Sequence, residues 1–342
     1  MSDIARRFAS APSETLLTPR RLWFIVAAIA IAILPLIFTT SYWRANLTVC
    51  AINVLLAIGL DFVLGYAGQL NIGQSAFYGI GAYVSTLLIM KLAVPFWIAF
   101  ALGVLISGLA GALLSLFAVR LRGHYLAIAS LGFAVITYQV LLNWISMTQG
   151  PLGIYAIAPP PPLALPYLPR VAFSGAANFF YLTAGFALLV YFMLDQLVHS
   201  PIGETLTAIR EDELSAASLG IDAPKWKAFA FAISSAVAGA AGCFYASFVG
   251  TLVPDAFFIT ESFSILAMVI VGGMGTLIGP VFGAILLTLL PELLRGIGDL
   301  RLIVYGASVA LVVLFMPGGF VQAIDLVTRR AFRAKAKVEQ RR

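Results

Sequence analysis

Charge is what this chain has least of: Asp, Glu, Lys and Arg supply 11% of its 342 residues, against roughly 25% in soluble domains. With 61% of the residues hydrophobic and a mean hydropathy of +0.99, that scarcity excludes the soluble globular class and indicates a chain that crosses a bilayer many times. Cysteine is nearly missing too. Cys50 and Cys243 stand in apolar stretches with no CxxC spacing, which argues against redox or thiolate-metal chemistry and for small apolar packing residues. The two histidines, His124 and His199, flank segment boundaries and form no metal-ligating pattern. No GxxxxGK(S/T) run occurs, so the chain has no phosphate loop of the usual ATP site. No catalytic constellation of a hydrolase or transferase is present either.

What is there is apolar sequence in long runs. Ten stretches can be marked, at 22–39, 47–65, 72–90, 94–117, 126–143, 179–197, 228–249, 261–274, 281–294 and 302–316. About 20 helical residues cross ~30 Å of hydrocarbon, and most of the ten are long enough; the expected fold is an all-α polytopic membrane protein. None of the ten holds lysine or arginine, each of which costs roughly 2.5–3.5 kcal/mol at a helix centre. The basic residues gather instead in the connections. With both termini cytoplasmic, sixteen lie inside, and Arg44, Lys91, Arg170, Arg295 and Arg301 lie outside. That bias sets the orientation and requires an even number of crossings. It also explains the +6 net charge by topology and the anionic inner leaflet rather than by nucleic acid. The chain therefore divides into a polar cytoplasmic segment, 1–21, without a cleavable signal pattern, a transmembrane domain, 22–320, carrying a cytoplasmic insert at 200–227, and a basic cytoplasmic tail, 321–342.

Two regions depart from simple spans. In GYAGQLNIGQSAFYGIG, from Gly65, the glycines that include Gly68 and Gly73 alternate with Gln69, Asn71, Gln74 and Ser75. Polar, irregular backbone at membrane depth is tolerated only when packed in protein or lining an aqueous cavity, so this segment either faces the bundle interior or is a short cytoplasmic turn. The thirty uncharged residues from Ser262 to Pro291 are too many for one straight span and too few for two. Gly275, Gly279 and Gly283 recur every fourth residue, which would align them on one helix face for close backbone packing. Pro280 suits a first helical turn and places a break near Gly279; two short crossings and a re-entrant hairpin both fit. Asp61 sits about one turn from the end of its helix with no basic partner visible in the sequence, as either a structural carboxylate or a proton relay. Asp195 and Glu292 read as interfacial anchors, and the proline-rich connection from Asn143 to Asn178 as an extended outer cover.

The insert is punctuated as two short helices. Ser200 can cap the first, Pro201 opens it, and Leu206 and Ile209 share a face; Asp212 can cap the second, whose Ala216 and Leu219 precede a stop at Gly220. Pro224 then opens the next span. Small residues on one face and the Glu211, Asp212, Glu213 cluster on another suit a helix pair that enters a partner's groove, and equally a solvated loop.

Six segments carry a resemblance: GYAGQLNIGQSAFYGIGAY (65–83), RLRGHYLAIASLGFA (120–134), TQGPLG (148–153), GETLTAIREDELSAASLGID (203–222), VGGMGTLIGPVFGAILLTLLPELLR (271–295) and LFMPGGF (314–320). In this order they resemble the branched-chain amino-acid ABC importer permeases of the LivM type. The resemblance implies a permease of the ten-helix class in a bacterial inner membrane, importing branched-chain or related hydrophobic amino acids by alternating access. Its implied partners are a homologous LivH-like permease, two cytoplasmic LivG/LivF-like ATPases that hold ATP and Mg, and an external substrate-binding protein; this chain itself would bind no cofactor. Arg210, Glu211, Asp212, Glu213, Ala216, Gly220 and Ile221 fall on the family's ATPase-coupling segment, with asparagine more usual in the family at the positions of Asp212 and Asp61. On that reading we expect the insert to act as a lever, jointed near Gly220 and Pro224, that tilts 179–197 and 228–249 and opens a path bordered by Gln69, Asn71, Gln74 and Ser75. Gly68, Gly73, Gly275, Gly279, Pro280 and Gly283 would serve as hinges or close-packing points. Urea and short-amide permeases share much of the pattern, and an ion-coupled secondary transporter is the competing class.

Overall fold

The computed structural model describes residues 29, 31–118, 124–162, 173 and 175–298, with single positions between 303 and 319. The expected span at 302–316 lies largely outside them and the segments 1–21 and 321–342 wholly so, while 22–39 is described at 29 and 31–39, helical through 31–37. Eight described helices are long and apolar enough to cross a membrane, one for each remaining stretch. They are α1 (Ser41–Asp61), extended by a π-helical turn at Phe62–Tyr66, α2 (Gln74–Leu92), α3 (Phe96–Ala118), α4 (His124–Asn143), α5 (Ala176–Val198), α8 (Ala223–Val249), α9 (Ile259–Gly272) and α10 (Ile278–Leu293). Two short helices, α6 (Pro201–Glu211) and α7 (Glu213–Ser218), form the insert between α5 and α8. Helix is the forced choice here, because in hydrocarbon each backbone N–H and C=O must be bonded within its own segment. The chain belongs to the all-α polytopic class, and β structure among the described residues is one antiparallel pair, with Ile154 opposite Leu252 and Tyr155 opposite Thr251.

Helix α8 is the axis of the bundle. Its small residues let α2 and α3 approach at backbone contact. A side chain built at Gly81 of α2 would meet the Gly239 backbone of α8, and one at Gly242 would meet the Tyr78 carbonyl of α2. Ser107 of α3 closes the three-helix junction, donating to the carbonyls of Phe77 at 2.9 Å and Ser235 at 2.7 Å. Without a hydrophobic force between helices in lipid, such close contacts and interhelical hydrogen bonds supply the association energy. One end of the bundle is covered by the strand pair, by Lys91 donating to the Ser146 carbonyl at 2.9 Å and by Tyr138 donating to Asp255 at 2.8 Å. The insert lies at the other end.

The region 262–291 resolves as a hairpin of two short helices. At 14 and 16 residues, α9 and α10 alone extend about 21–24 Å; with the 3-10 turns at Pro254–Phe257 and Leu294–Ile297 each becomes a 19-residue stretch of roughly 28 Å, close to the ~30 Å of a hydrocarbon core. The expected alignment of three glycines on one helix face is corrected: Gly275 lies in the connecting turn with φ +76°, while Gly279 and Gly283 sit in α10 and abut the carbonyls of Gly273 and Met268 respectively. A turn of only a few residues between packed helices requires the left-handed backbone that glycine adopts without strain. Pro280 occupies the first turn of α10, and Pro291 falls inside its last turn. The expected 47–65 span begins earlier, at Ser41, because Arg44 turns back to donate to the carbonyls of Phe38 and Pro35 and thus satisfies its own charge at the helix start.

Replacing Gly81 by valine forces backbone apart at the α2–α8 crossing, and overpacking of this kind costs about 1–3 kcal/mol or more; the melting temperature in detergent should fall by several degrees. Gly132 in α4 has nothing within 4 Å of an added Cβ, so Gly132→Ala should leave it unchanged or raise it.

Candidate functional site

The insert folds as its punctuation predicts. The Ser200 hydroxyl accepts from the Ile202 N–H, Pro201 takes the first helical position, and Leu206 and Ile209 are buried. Asp212 caps α7, its Oδ1 accepting from the Leu214 and Ser215 N–H groups at 2.9 and 3.2 Å, and these bonds, with the Ser215 hydroxyl foremost, hold its carboxyl below the usual range. Gly220, at φ +85°, ends the helix in the left-handed conformation. The pair docks on the bundle through a small cluster of Ile209, Ala216 and Ala223 with Ile221 and Trp226 against it, and through a Glu213–Lys227 ion pair of 2.8 Å to α8.

The expected coupling residues therefore divide in two. Ala216 and Ile221 face the bundle, Glu213 is tied to Lys227, and Arg210, itself an exposed residue, donates from its guanidinium to the Gly65 carbonyl. Glu211, Asp212 and Gly220 remain exposed. Leu219 is 80% exposed, and Leu214 is 68% exposed. A six-residue helix has too few turns to bury both faces, so Ala216 takes the inner one and the leucines are left outside. Leu214 lies outside the expected coupling set, and its signal in the sequence is an apolar residue beside the acidic cluster.

The polar loop lies within the bundle. Gln69, Asn71, Gln74 and Ser75 are all buried, which settles the alternative of a solvated turn against it. Asn71 donates to Gln74 Oε1 at 3.0 Å and accepts from the Gly73 N–H at 2.8 Å. Ser130 of α4 accepts from the Ile72 N–H at 2.9 Å, Ser234 of α8 donates to Gln74 at 3.4 Å, and Ser262 of α9 accepts from the Ser75 N–H at 2.9 Å. These serines stand roughly 9–16 Å along their helices from the insert end, so the loop dips from that end into the bundle and α2 starts at depth. Gly73 is pressed against the Ser130 carbonyl, and Gly68, at φ +66°, against the Arg210 side-chain stem. Both amide atoms of Gln69 and the Nε2 of Gln74 have no hydrogen-bond partner among the described residues.

Asp61 also acquires a partner that its sequence neighbourhood did not reveal. Its Oδ1 accepts from the Gly275 N–H in the hairpin turn at 2.8 Å. Asp195 faces His199 at 3.4 Å, and Glu292 faces Arg295 at 3.6 Å, consistent with anchors at helix ends. Among the described residues no group of three or more His, Cys, Asp or Glu could hold a metal ion.

The family model for the branched-chain amino acid transport system / permease component matches residues 44–316, which includes the polar loop, the insert and the hairpin. This chain belongs to that permease family. It is 36% identical over 289 residues to the high-affinity branched-chain amino acid transport system permease protein LivM of Salmonella typhimurium, covering 80% of this chain and 68% of that protein. The LivM of Escherichia coli is 35% identical over 322 residues, covering 88% and 75%. The corresponding LivH of Salmonella typhimurium is 26% identical over 298 residues, covering 80% and 92%. No solved structure matches this permease. It is a multi-pass membrane protein, and its two irregular regions converge on the insert.

The Asp212 cap should be readable by hydrogen exchange: Asp212→Ala should speed exchange of the Leu214 and Ser215 amides, and Asp212→Asn should largely preserve their protection. Because the folded carboxyl titrates below its ordinary range, the cap's contribution is full at neutral pH and declines only as pH falls through that depressed value.

Proposed function

We propose that this permease is a membrane subunit of an ATP-driven importer that carries branched-chain or related hydrophobic amino acids inward across a bacterial inner membrane, with both termini cytoplasmic. It works beside a homologous second permease, two cytoplasmic ATPases that bind ATP and Mg, and an external substrate-binding protein; ATP hydrolysis belongs to those partners. The observation that carries this reading is the insert: a capped helix pair, fixed to the bundle on one face, that leaves Leu214, Leu219 and Glu211 exposed at the end from which the polar loop enters. Exposed leucines beside carboxylates suit a groove on a soluble partner and serve no purpose in a self-contained carrier. The family's description and the LivM and LivH relatives support the cargo class and the second permease.

Mechanistically, closure of the ATPase dimer moves α6 and α7, with Gly220 and Pro224 at the joint into α8. The movement tilts α5 and α8 and alternates access to the polar loop. The single chain buries Gln69, Asn71, Gln74 and Ser75, so these residues border the path only when the loop is drawn open, and this conformation corresponds to a closed state. Unpartnered buried amide groups cost about 1–3 kcal/mol each; those of Gln69 and Gln74 are free to meet the polar ends of a zwitterion once it opens. Tight capture belongs to the external protein, since a pore that holds its cargo firmly releases it slowly.

Affinity purification of the tagged chain in mild detergent should recover two ATPases and a second permease, with ATP hydrolysis stimulated by amino-acid-loaded binding protein. A chain that purifies alone and carries solute under an ion gradient would replace this reading by a secondary transporter, and stimulation by urea or a short amide would replace the cargo. Leu219→Asp should weaken recovery of the ATPases by roughly tenfold, as expected for loss of an interface anchor, with expression unchanged; full recovery removes the docking face. Thiol labelling at Gln69→Cys and Gln74→Cys should rise when ATP and loaded binding protein are supplied, and constant labelling would take these positions off the path.

A further inference from the structure

Besides the apolar cluster around Ala216, the insert meets the bundle at three further points, of which the Arg210 contact reaches the polar loop. Gly203 packs at the start of α6 against the Val198 carbonyl of α5, and Glu213 pairs with Lys227 of α8. Arg210, at the end of α6, grips the loop. Its guanidinium donates to the Gly65 carbonyl, and its Cγ lies 2.7 Å from where a Gly68 Cβ would be.

Gly65 is in turn enclosed by the hairpin turn. A Cβ there would meet the Asp61 carboxylate and the Gly275 backbone, and the Arg210 Nη1 would lie 3.2 Å from a Cβ at Gly275. Asp61 fastens the same point with its 2.8 Å bond from the Gly275 N–H. Its other oxygen, Oδ2, has no hydrogen-bond partner among the described residues. Further along, the loop is fastened to the same hairpin a second time. Ser262 of α9 accepts from the Ser75 N–H and donates to the Ser75 hydroxyl at 2.8 Å. The segment from Asp61 to Ser75 and the segment from Ser262 to Gly275 thus close a ring, pinned at both ends, in which α9 is a stiff helical side. A ring of this kind cannot move at one pin without moving at the other.

We propose that Asp61 and Arg210 are positioning residues that carry the insert's motion directly to the α9–α10 hairpin, so that the hairpin and the polar loop move as one gate. This deepens the importer reading and rests on it. The essential feature of Asp61 is its Oδ1 acceptor for the Gly275 N–H; a neutral side chain of the same shape should serve. The flanking helices α5 and α8 then support the gate rather than supply its only drive.

The test uses the complete complex in liposomes, with Cys50→Ala and Cys243→Ala as background and Met274→Cys as reporter on the exposed side of the hairpin turn. In the parent, labelling at 274 should depend on ATP. Arg210→Ala and Asp61→Ala should assemble with the ATPases and hydrolyse ATP, while uptake per ATP falls by roughly tenfold, within the usual range of coupling energies, and labelling at 274 becomes independent of ATP. Asp61→Asn should retain both properties. A purely structural role would lower assembly and stability without separating uptake from hydrolysis. ATP-dependent labelling that persists in Asp61→Ala, or an Asp61→Asn variant as defective as Asp61→Ala, overturns the proposal. Should Asp61→Ala not accumulate, Gly68→Ala displaces the Arg210 stem and must show the same loss. A parent complex without ATP-driven uptake would instead refute the importer reading itself.

Discussion

The constraint on which this structure depends is that hydrocarbon offers no hydrogen bonds to backbone. A loop such as Ala67–Gly73, which is not helical, survives at depth only if protein satisfies it. Ser130 accepts from the Ile72 N–H of the loop itself, while Ser234 donates to the Gln74 side chain and Ser262 accepts from the Ser75 N–H where the loop enters α2, and each of these three helices must come close enough to do so. The close packing of α2, α3 and α8 on glycine and alanine follows from the same demand. Small residues bring the backbones together, and the serines between them turn proximity into hydrogen bonds.

That solution is incomplete by design of the chemistry. Both amide atoms of Gln69, the Nε2 of Gln74 and one oxygen of Asp61 are buried without a hydrogen-bond partner among the described residues, and unsatisfied polar groups in a low-dielectric interior are costly. They cluster along the one non-helical passage through the bundle, beside the insert that the permease presents at its surface. Stored polar capacity next to a movable segment is what alternating access needs, since the same groups must tolerate a dry closed state and meet polar cargo in an open one.

The insert shows how little of a short helix is available for two tasks. Its inner face is spent on Ala216, Ile221 and the Glu213–Lys227 pair, its ends on the Ser200 and Asp212 caps, and what remains outside is Glu211, Leu214 and Leu219. The residues that resemble a family motif are therefore mixed in role. Some hold the element in place and others present it.

The helical class, the positions of the eight described spans, both caps of the insert and the polar character of the loop were legible in the sequence, because each rests on local rules: apolar length, cap chemistry and glycine or proline punctuation act over a few residues. The sequence left open whether the Gly65–Ser75 segment enters the bundle, gave Asp61 no partner, and suggested one face for Gly275, Gly279 and Gly283. Those answers depend on Gly275, Arg210 and Ser262, which stand 145 to 214 residues from the groups they meet at Gly65, Asp61 and Ser75. Tertiary packing alone brings such distant positions together, because a hydrogen bond between them leaves no periodicity in the chain; what the amino-acid order determined by itself was which segments enter the membrane, and what the folded bundle decided was which of them are fastened to one another.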